Sequence, residues 1–282
     1  MPAQDSTTLP DSRPNSAPDS PDSPPASRNR FKQAIAKGER QVGVWSALAS
    51  PIAAEILAGA GFDWLVIDGE HAPNEISTLV PQLQAVRGCP AEPVYRVPWN
   101  DMVVMKRALD VGARTLIVPF VQNAEEARRA AAATLYPPRG VRGVAVVVRG
   151  SDFGRVPQYL QNAHLDTCLL VQLETRAALG EIEAIAKVEG VDGMFIGPSD
   201  LAADMGHLGN NKHADVQAAI KDAAERIRAA GKPAGTLVAN ADDAERMFDW
   251  GFNFVAAAID VAILARNAEA VAARLKKTVS SL

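Results

Sequence analysis

The sequence predicts an α/β protein folded as a single (β/α)8 barrel of the TIM type. Short apolar runs of β-favouring residues alternate with alanine-rich amphipathic stretches, each pair taking about 25 to 30 residues, the spacing of βα units. The alternation repeats eight times, and residues 29–282 match the length of one such barrel. An open doubly wound sheet would alternate in the same way, but no Gly-x-Gly-x-x-Gly follows the first strand to cradle a dinucleotide phosphate.

In chain order, strand 42–46 leads to helix 52–60, strand 64–68 to helix 75–86, and strand 93–97 to helix 103–110. Strand 115–119 then leads to helix 124–134, strand 167–174 to helix 177–187, and strand 193–197 to helix 214–230. Strand 234–238 with helix 241–249 and strand 254–258 with helix 261–277 complete the set. Each strand is a short apolar run, as expected where both faces are covered. The helices carry apolar residues at helical spacing with charges between them. Four helix ends repeat one device, a glycine just before a strand, in 58–63, 110–113, 188–193 and 249–253. A left-handed cap explains those glycines without any catalytic role.

Composition narrows the function. The 282 residues carry 29 basic and 33 acidic side chains, a net charge of −4, which argues against nucleic-acid binding driven by bulk charge. With 48% apolar residues, the chain has no run approaching the roughly 18 that span a bilayer and no leader pattern, so a cytoplasmic protein without a membrane partner is expected. Cys89 and Cys168 are too few and too isolated for a disulfide framework or a zinc cluster, and read as small buried hydrophobes. Residues 1–28 differ from the rest, with seven prolines, six serines and four aspartates and no periodicity, and are expected to be a disordered tail.

In a barrel of this kind the chemistry belongs just beyond the strands' carboxyl ends. Asp68-Gly69-Glu70-His71 follows the run Trp64-Leu-Val-Ile67, Tyr95-Arg96 ends the third strand, Gln172-Leu173-Glu174 ends the fifth, and Gly197-Pro198-Ser199-Asp200 follows the sixth. Glu174 and Asp200 are hard oxygen donors suited to Mg²⁺ or Mn²⁺, or else they cap the helices that follow. Thr175 already supplies a cap after Glu174. His71, beside carboxylates, suits a general base near neutral pH, although a lone histidine is usually structural. His164, His207 and His213 read as surface residues. Arg96 offers a fixed fork to an anionic substrate or a developing enolate, or pairs with the nearby acids. Asp110 ends a helix, where a negative charge opposes the dipole, so it requires a compensating partner. The turn 197–200 presents backbone N–H groups at a helix start, a carboxylate site. None of the nine lysines ends a strand, which argues against a Schiff-base aldolase, and there is no nucleophilic-serine elbow or Cys/His pair.

Taken together, Gly43-Val-Trp45, Leu57 to Trp64 leading into Asp68-Gly-Glu-His-Ala-Pro-Asn74, and Arg96 with Trp99-Asn-Asp101 closely resemble the metal-dependent (class II) pyruvate aldolases. Tyr136-Pro-Pro-Arg-Gly-Val-Arg-Gly143, Gln172-Leu-Glu-Thr175 and Gly197-Pro-Ser-Asp-Leu201 extend the likeness from about Phe31 to Arg274. The nearest type cleaves 4-hydroxy-2-oxoheptane-1,7-dioate. The resemblance implies a barrel of the phosphoenolpyruvate/pyruvate type, with its last helix exchanged in dimers that assemble into a hexamer. It also implies a place in aromatic compound catabolism and a divalent metal cation (Mg²⁺, Mn²⁺ or Co²⁺) held by Glu174 and Asp200. His71 would be the base with Asp110 as its partner, and Arg96 would steady a pyruvate enolate. Gln172 would lie near the metal's waters, Ser199 and Asp200 would bind the pyruvate carboxylate, and Asp68 and Glu70 would support the ligands from behind. The implied reaction splits a 4-hydroxy-2-oxo acid into pyruvate and an aldehyde. Its rivals are a CoA-thioester lyase of the citramalyl/malyl-CoA type and a non-catalytic pyruvate-binding protein. One stretch, 144–154, departs from the family's usual Ser/Ala/Arg-rich run and is the segment expected to face the aldehyde.

Overall fold

A computed structural model describes residues 28–280. All of the tail except Arg28 therefore lies outside the described residues. Eight parallel strands close into a barrel in the order of the sequence: β1 (Gln41–Ser46), β2 (Trp64–Asp68), β3 (Glu92–Arg96), β4 (Thr115–Val118), β5 (Cys168–Leu173), β6 (Gly193–Ile196), β7 (Ala234–Leu237) and β8 (Phe254–Ile259). The expected barrel is borne out, with strand bounds shifted by a residue or so.

The barrel interior is filled by Trp45, Trp64, Val66, Val94, Ile117, Leu170, Phe195 and Phe254, all buried. Two strand glycines make room for the largest of these. A Cβ on Gly43 would lie 2.2 Å from the Trp64 ring, and one on Gly235 would lie 1.9 Å from the Phe254 ring. Gly43 and Trp64 are register partners across β1 and β2, so a small residue faces a large one at the same level.

Helix α1 (Arg30–Ala36) was not foreseen. It closes the amino end of the barrel by inserting Phe31 and Ile35, and the Phe31 ring lies 5.4 Å from both Trp64 and Phe254. It is only about two turns of helix, too short for periodicity to reveal. Asn29 caps it by accepting from Lys32 N at 2.9 Å.

The outer layer follows the expected order: α2 (Pro51–Ala58), α3 (Ile76–Ala85), α4 (Met102–Asp110), α5 (Ala124–Thr134), then the unpredicted α6 (Tyr159–Asp166). The single helix expected at 177–187 is two, α7 (Arg176–Gly180) and α8 (Ile182–Ala186), broken at Glu181 next to Gly180, a poor helix former. Another short helix, α9 (Pro198–Asp204), precedes α10 (Ala214–Ala229), followed by α11 (Ala241–Asp249) and α12 (Asp260–Ser280). In the four glycine caps, Gly61, Gly112, Gly190 and Gly251 all have φ between +92° and +102°, the left-handed conformation expected of them. Cys168 is buried as expected, whereas Cys89 is only half-buried.

Helix α12 differs from the others. Its main contacts with the barrel are to β1 and β8, and Asp260 is its one buried residue among those described. That carboxylate accepts from Ser46 Oγ and from the backbone N–H of Ala47 and Leu48, so the helix is anchored at its root while its body projects. No helix among the described residues is long and apolar enough to cross a membrane.

Candidate active site

The carboxyl ends of β2, β3, β5 and β6 bring most of the expected residues together. Asp68, the last residue of β2, is buried and accepts Arg96 Nε at 2.8 Å and Nη2 at 2.6 Å, a two-pronged pair between neighbouring strands. The same carboxylate accepts from Trp45 Nε1 at 3.1 Å and from Glu70 N at 2.9 Å. Burial alone would raise the Asp68 pKa, but the Arg96 bonds and charge, with Trp45 and the Glu70 amide, outweigh it and hold the group below its ordinary value.

Gly69 permits the tight turn that follows. Its N–H bonds the Arg96 carbonyl at 2.8 Å, and a Cβ there would lie 2.4 Å from Tyr95 Oη. The turn carries Glu70 back so that its Oε2 lies 2.8 Å from Arg96 Nη1, an ion pair without hydrogen-bond alignment. Arg96 therefore makes the pairing with nearby acids expected of it. Its guanidinium is packed 4.7 Å over Trp45 and held by two acids, with Nε and Nη2 donating to Asp68 and Nη1 in the ion pair with Glu70.

Glu174 follows β5 and is buried. It accepts from Gln172 Nε2 at 2.5 Å and from the backbone N–H of Phe120 at 2.8 Å. Phe120 has φ +54°, a strained conformation for an aromatic residue that turns its amide toward the carboxylate. Burial first, then the negative charges of Glu70 and Asp200, push the Glu174 pKa from its ordinary 4.5 to about 7. Glu70 is raised too, by burial above all, against the pull of Arg96 and His71. Three carboxylates, following β2, β5 and β6, thus lie close enough at the mouth for their charges to oppose one another's ionisation.

This donor set fits a divalent cation. Its oxygens are hard ligands whose mutual repulsion a 2+ charge would relieve. One buried acceptor, Gln172 Oε1, has no hydrogen-bond donor, as expected of a group facing a cation's waters. Gly197 leaves the space open, since a Cβ there would lie 2.4 Å from Glu174 Oε2 and 2.8 Å from Gln172 Nε2. Gly197→Ala is expected to displace the Glu174 carboxylate and weaken Mn²⁺ binding about tenfold or more, at a folding cost of about 1–3 kcal/mol. Calorimetric titration alongside thermal melting would separate the two effects, and unchanged affinity would refute the close packing.

Ser199 and Asp200 occupy the exposed first turn of α9, behind Pro198 at the carboxyl end of β6, where backbone N–H groups have no partner within the helix. His71 is also exposed, its Nε2 3.9 Å from Glu70 Oε2.

Asp110 does not join them within one chain. Helix α4 returns the chain to the amino end of the barrel, and Asp110, its last residue, lies there with Arg142 Nη2 at 2.7 Å. Within one chain, the compensating cation that its place at a helix end required is Arg142. The segment 144–154 likewise lies away from the mouth. Arg149 donates to the carbonyls of Val111 and Leu83 at the ends of α4 and α3, and Val144, Val146 and Val147 are exposed.

Sequence reasoning gave no site role to Trp45, Phe120 or Gly69. Trp45 was legible as a polar-tipped residue near the end of β1; nothing in the sequence marks Phe120, which acts through its backbone.

The family described as HpcH/HpaI aldolase/citrate lyase matches residues 41–267. Among curated proteins, the chain is 56% identical over 247 residues to the 4-hydroxy-2-oxo-heptane-1,7-dioate aldolase of Klebsiella pneumoniae, covering 87% of this chain and 93% of that one. It is 54% identical over 248 residues to the protein of the same name in Salmonella typhi, covering 88% and 94%. Among solved structures, an HpcH/HpaI aldolase/citrate lyase family protein from Burkholderia cenocepacia superposes with a TM-score of 0.85 at 38% identity, over 88% of this chain and 99% of that one.

Proposed function

Since the chain belongs to the HpcH/HpaI aldolase/citrate lyase family, we propose that it is a carbon–carbon lyase that reversibly cleaves a 4-hydroxy-2-oxo acid to pyruvate and an aldehyde. 4-Hydroxy-2-oxoheptane-1,7-dioate, the compound in the relatives' names, is its proposed substrate. The observation that carries this reading is the electrostatic coupling of Glu174, Glu70 and Asp200 beside an arginine fixed by Asp68 and Glu70.

Glu174 and Asp200 would hold a divalent cation, with Mg²⁺, Mn²⁺ and Co²⁺ all suited to the oxygen donors. When bound, the cation supplies Lewis-acid polarisation of the 2-oxo acid. The chain's own groups do the rest. The α9 amino end and Ser199 orient the substrate carboxylate. His71, solvent-facing and next to Glu70, takes the proton of the C4 hydroxyl. The C4–O electrons form the aldehyde carbonyl as C3–C4 breaks, and the pair from that bond becomes an enolate facing Arg96. Asp68 and Glu70 lock the guanidinium where that charge develops, so little reorganisation accompanies the step. Protonation at C3 releases pyruvate.

The test is proton NMR of pyruvate in D₂O with metal-stripped protein, with and without added Mn²⁺, Mg²⁺ or Co²⁺. Loss of the methyl signal only with metal supports the reading. Binding without exchange, or failure to release pyruvate from 4-hydroxy-2-oxoheptane-1,7-dioate, would overturn it.

The assembly we propose is a homohexamer, a trimer of dimers exchanging α12, working in the cytoplasm. Its support is the projecting helix with exposed Ile263, Leu264, Val271, Leu275 and Val279, and the exposed Ile52 and Ile56 of α2. Leu264→Lys combined with Leu275→Lys is expected to reduce the mass in sedimentation equilibrium to that of a monomer. A retained oligomer would show that another surface holds it.

A further inference from the structure

Two of the chain's four histidines lie outside the site described above, in the loop between α9 and α10. The His207 and His213 rings stack at 3.6 Å with 14° between their planes. Asp215, in the first turn of α10, places Oδ2 3.8 Å from His207 Nε2 and 3.7 Å from His213 Nδ1, and one ligand atom from each residue falls within 4.8 Å of the others. We propose that His207, His213 and Asp215 form a second divalent-cation site, one for a borderline metal such as Zn²⁺ or Co²⁺ rather than Mg²⁺.

Stacking alone would account for the two rings, but not for the carboxylate oxygen that faces a nitrogen of each. Tetrahedral zinc with bonds of about 2.1 Å spaces its ligands about 3.4 Å apart. The two separations to Asp215 therefore need to shrink by a few tenths of an ångström, which the exposed Asp215 side chain can supply, and the two half-buried rings must turn out of their stack so that the in-plane lone pair of each points at one ion. His213 Nδ1 accepts a long bond of 3.3 Å from Asp215 N as the cap of α10, so it carries no proton, and an ion there would take the place of that weak bond. The neighbouring cation, Lys212, is spent on Asp243 at 3.0 Å and does not neutralise the cluster.

The loop is also set in advance. Left-handed Gly206 and Gly209 turn the chain, and His207 N to Ala202 O at 2.7 Å, Asn210 N to His207 O at 2.8 Å and His213 N to Asn210 O at 3.1 Å hold it compact. Gln217 Nε2 ties Asn211 O to α10 at 2.7 Å. Two imidazoles and one carboxylate select zinc, cobalt or nickel over magnesium, and three protein ligands leave the fourth position to water. The oxygen-rich mouth also accepts Mg²⁺, which the imidazole pair does not, so Mg²⁺ distinguishes the two sites.

The experiment uses the full chain carrying Glu174→Gln, so that the mouth does not contribute, in equilibrium dialysis against Zn²⁺ with millimolar Mg²⁺ present. One Zn²⁺ per chain is expected, and Co²⁺ in its place is expected to show the d–d absorption of imidazole ligation. Adding His207→Phe keeps the ring stack but removes the nitrogen, and should weaken binding by about tenfold or more. Asp215→Asn, an exposed substitution that leaves both rings in place, should weaken it as well. No zinc uptake, or uptake unchanged by His207→Phe, would overturn the proposal.

Discussion

Glu174→Gln is expected to abolish turnover while making the metal-free protein more stable at and above neutral pH. The carboxyl is buried with its pKa raised from 4.5 to about 7, so the folded state resists an ionisation that the unfolded chain accepts. Below pH 4.5 the group is protonated in both states and costs nothing. Between pH 4.5 and 7 the unfolded state ionises first and stability falls, and above 7 the whole difference is present. At 1.36 kcal/mol per unit that is about 3 kcal/mol, of which a neutral glutamine should recover a large part. The new amide also has a partner, because Gln172 Oε1 is buried without a donor and can accept from it. Denaturant melts of metal-free wild type and variant from pH 5 to 8.5 should diverge as pH rises, and parallel curves would show that the carboxyl is not strained. The same proton makes cation binding pH-dependent. Affinity should fall as pH drops through 7, and loading at pH 6 should release close to one proton per chain, readable by calorimetry in buffers of different ionisation enthalpy.

Arg96→Met should be the most damaging single substitution at the mouth. It strands Asp68 and Glu70 as unpaired acids, and breaking a buried pair from one side costs about 3–5 kcal/mol. Turnover should fall at least about 10²-fold, the scale of a lost oxyanion donor. Stability and chemistry can be separated with a second change. Asp68→Asn added to Arg96→Met removes the stranded charge, so much of the lost stability should return while the rate does not. Recovery of both would mean that Arg96 serves only the fold.

How much of this was legible depends on the range of the interaction. Pairs such as Asp68 with Arg96 were half visible: each ends an apolar strand, and adjacent parallel strands in register bring their ends together. Glu70, from the β2 turn, was visible only as part of a dense polar cluster, and its reach across the mouth toward Glu174 was not. Asp110 shows the reverse case. Its place at a helix end signalled a partner but not which one, and Arg142, 32 residues away, was supplied by the packing.

The sequence by itself determined the barrel, the strand ends that carry the chemistry and the left-handed glycines that end four helices, because these are written in local periodicity and in residue-specific backbone preference. Only the tertiary structure decided which groups meet. Barrel closure brings Glu70, from the turn after β2, near Glu174 and Asp200, which follow the neighbouring β5 and β6, aims the Phe120 amide at Glu174, stacks His207 on His213 beside Asp215, and leaves α12 projecting. Those outcomes depend on register, curvature and excluded volume summed over the whole chain, and no window of neighbouring residues contains them.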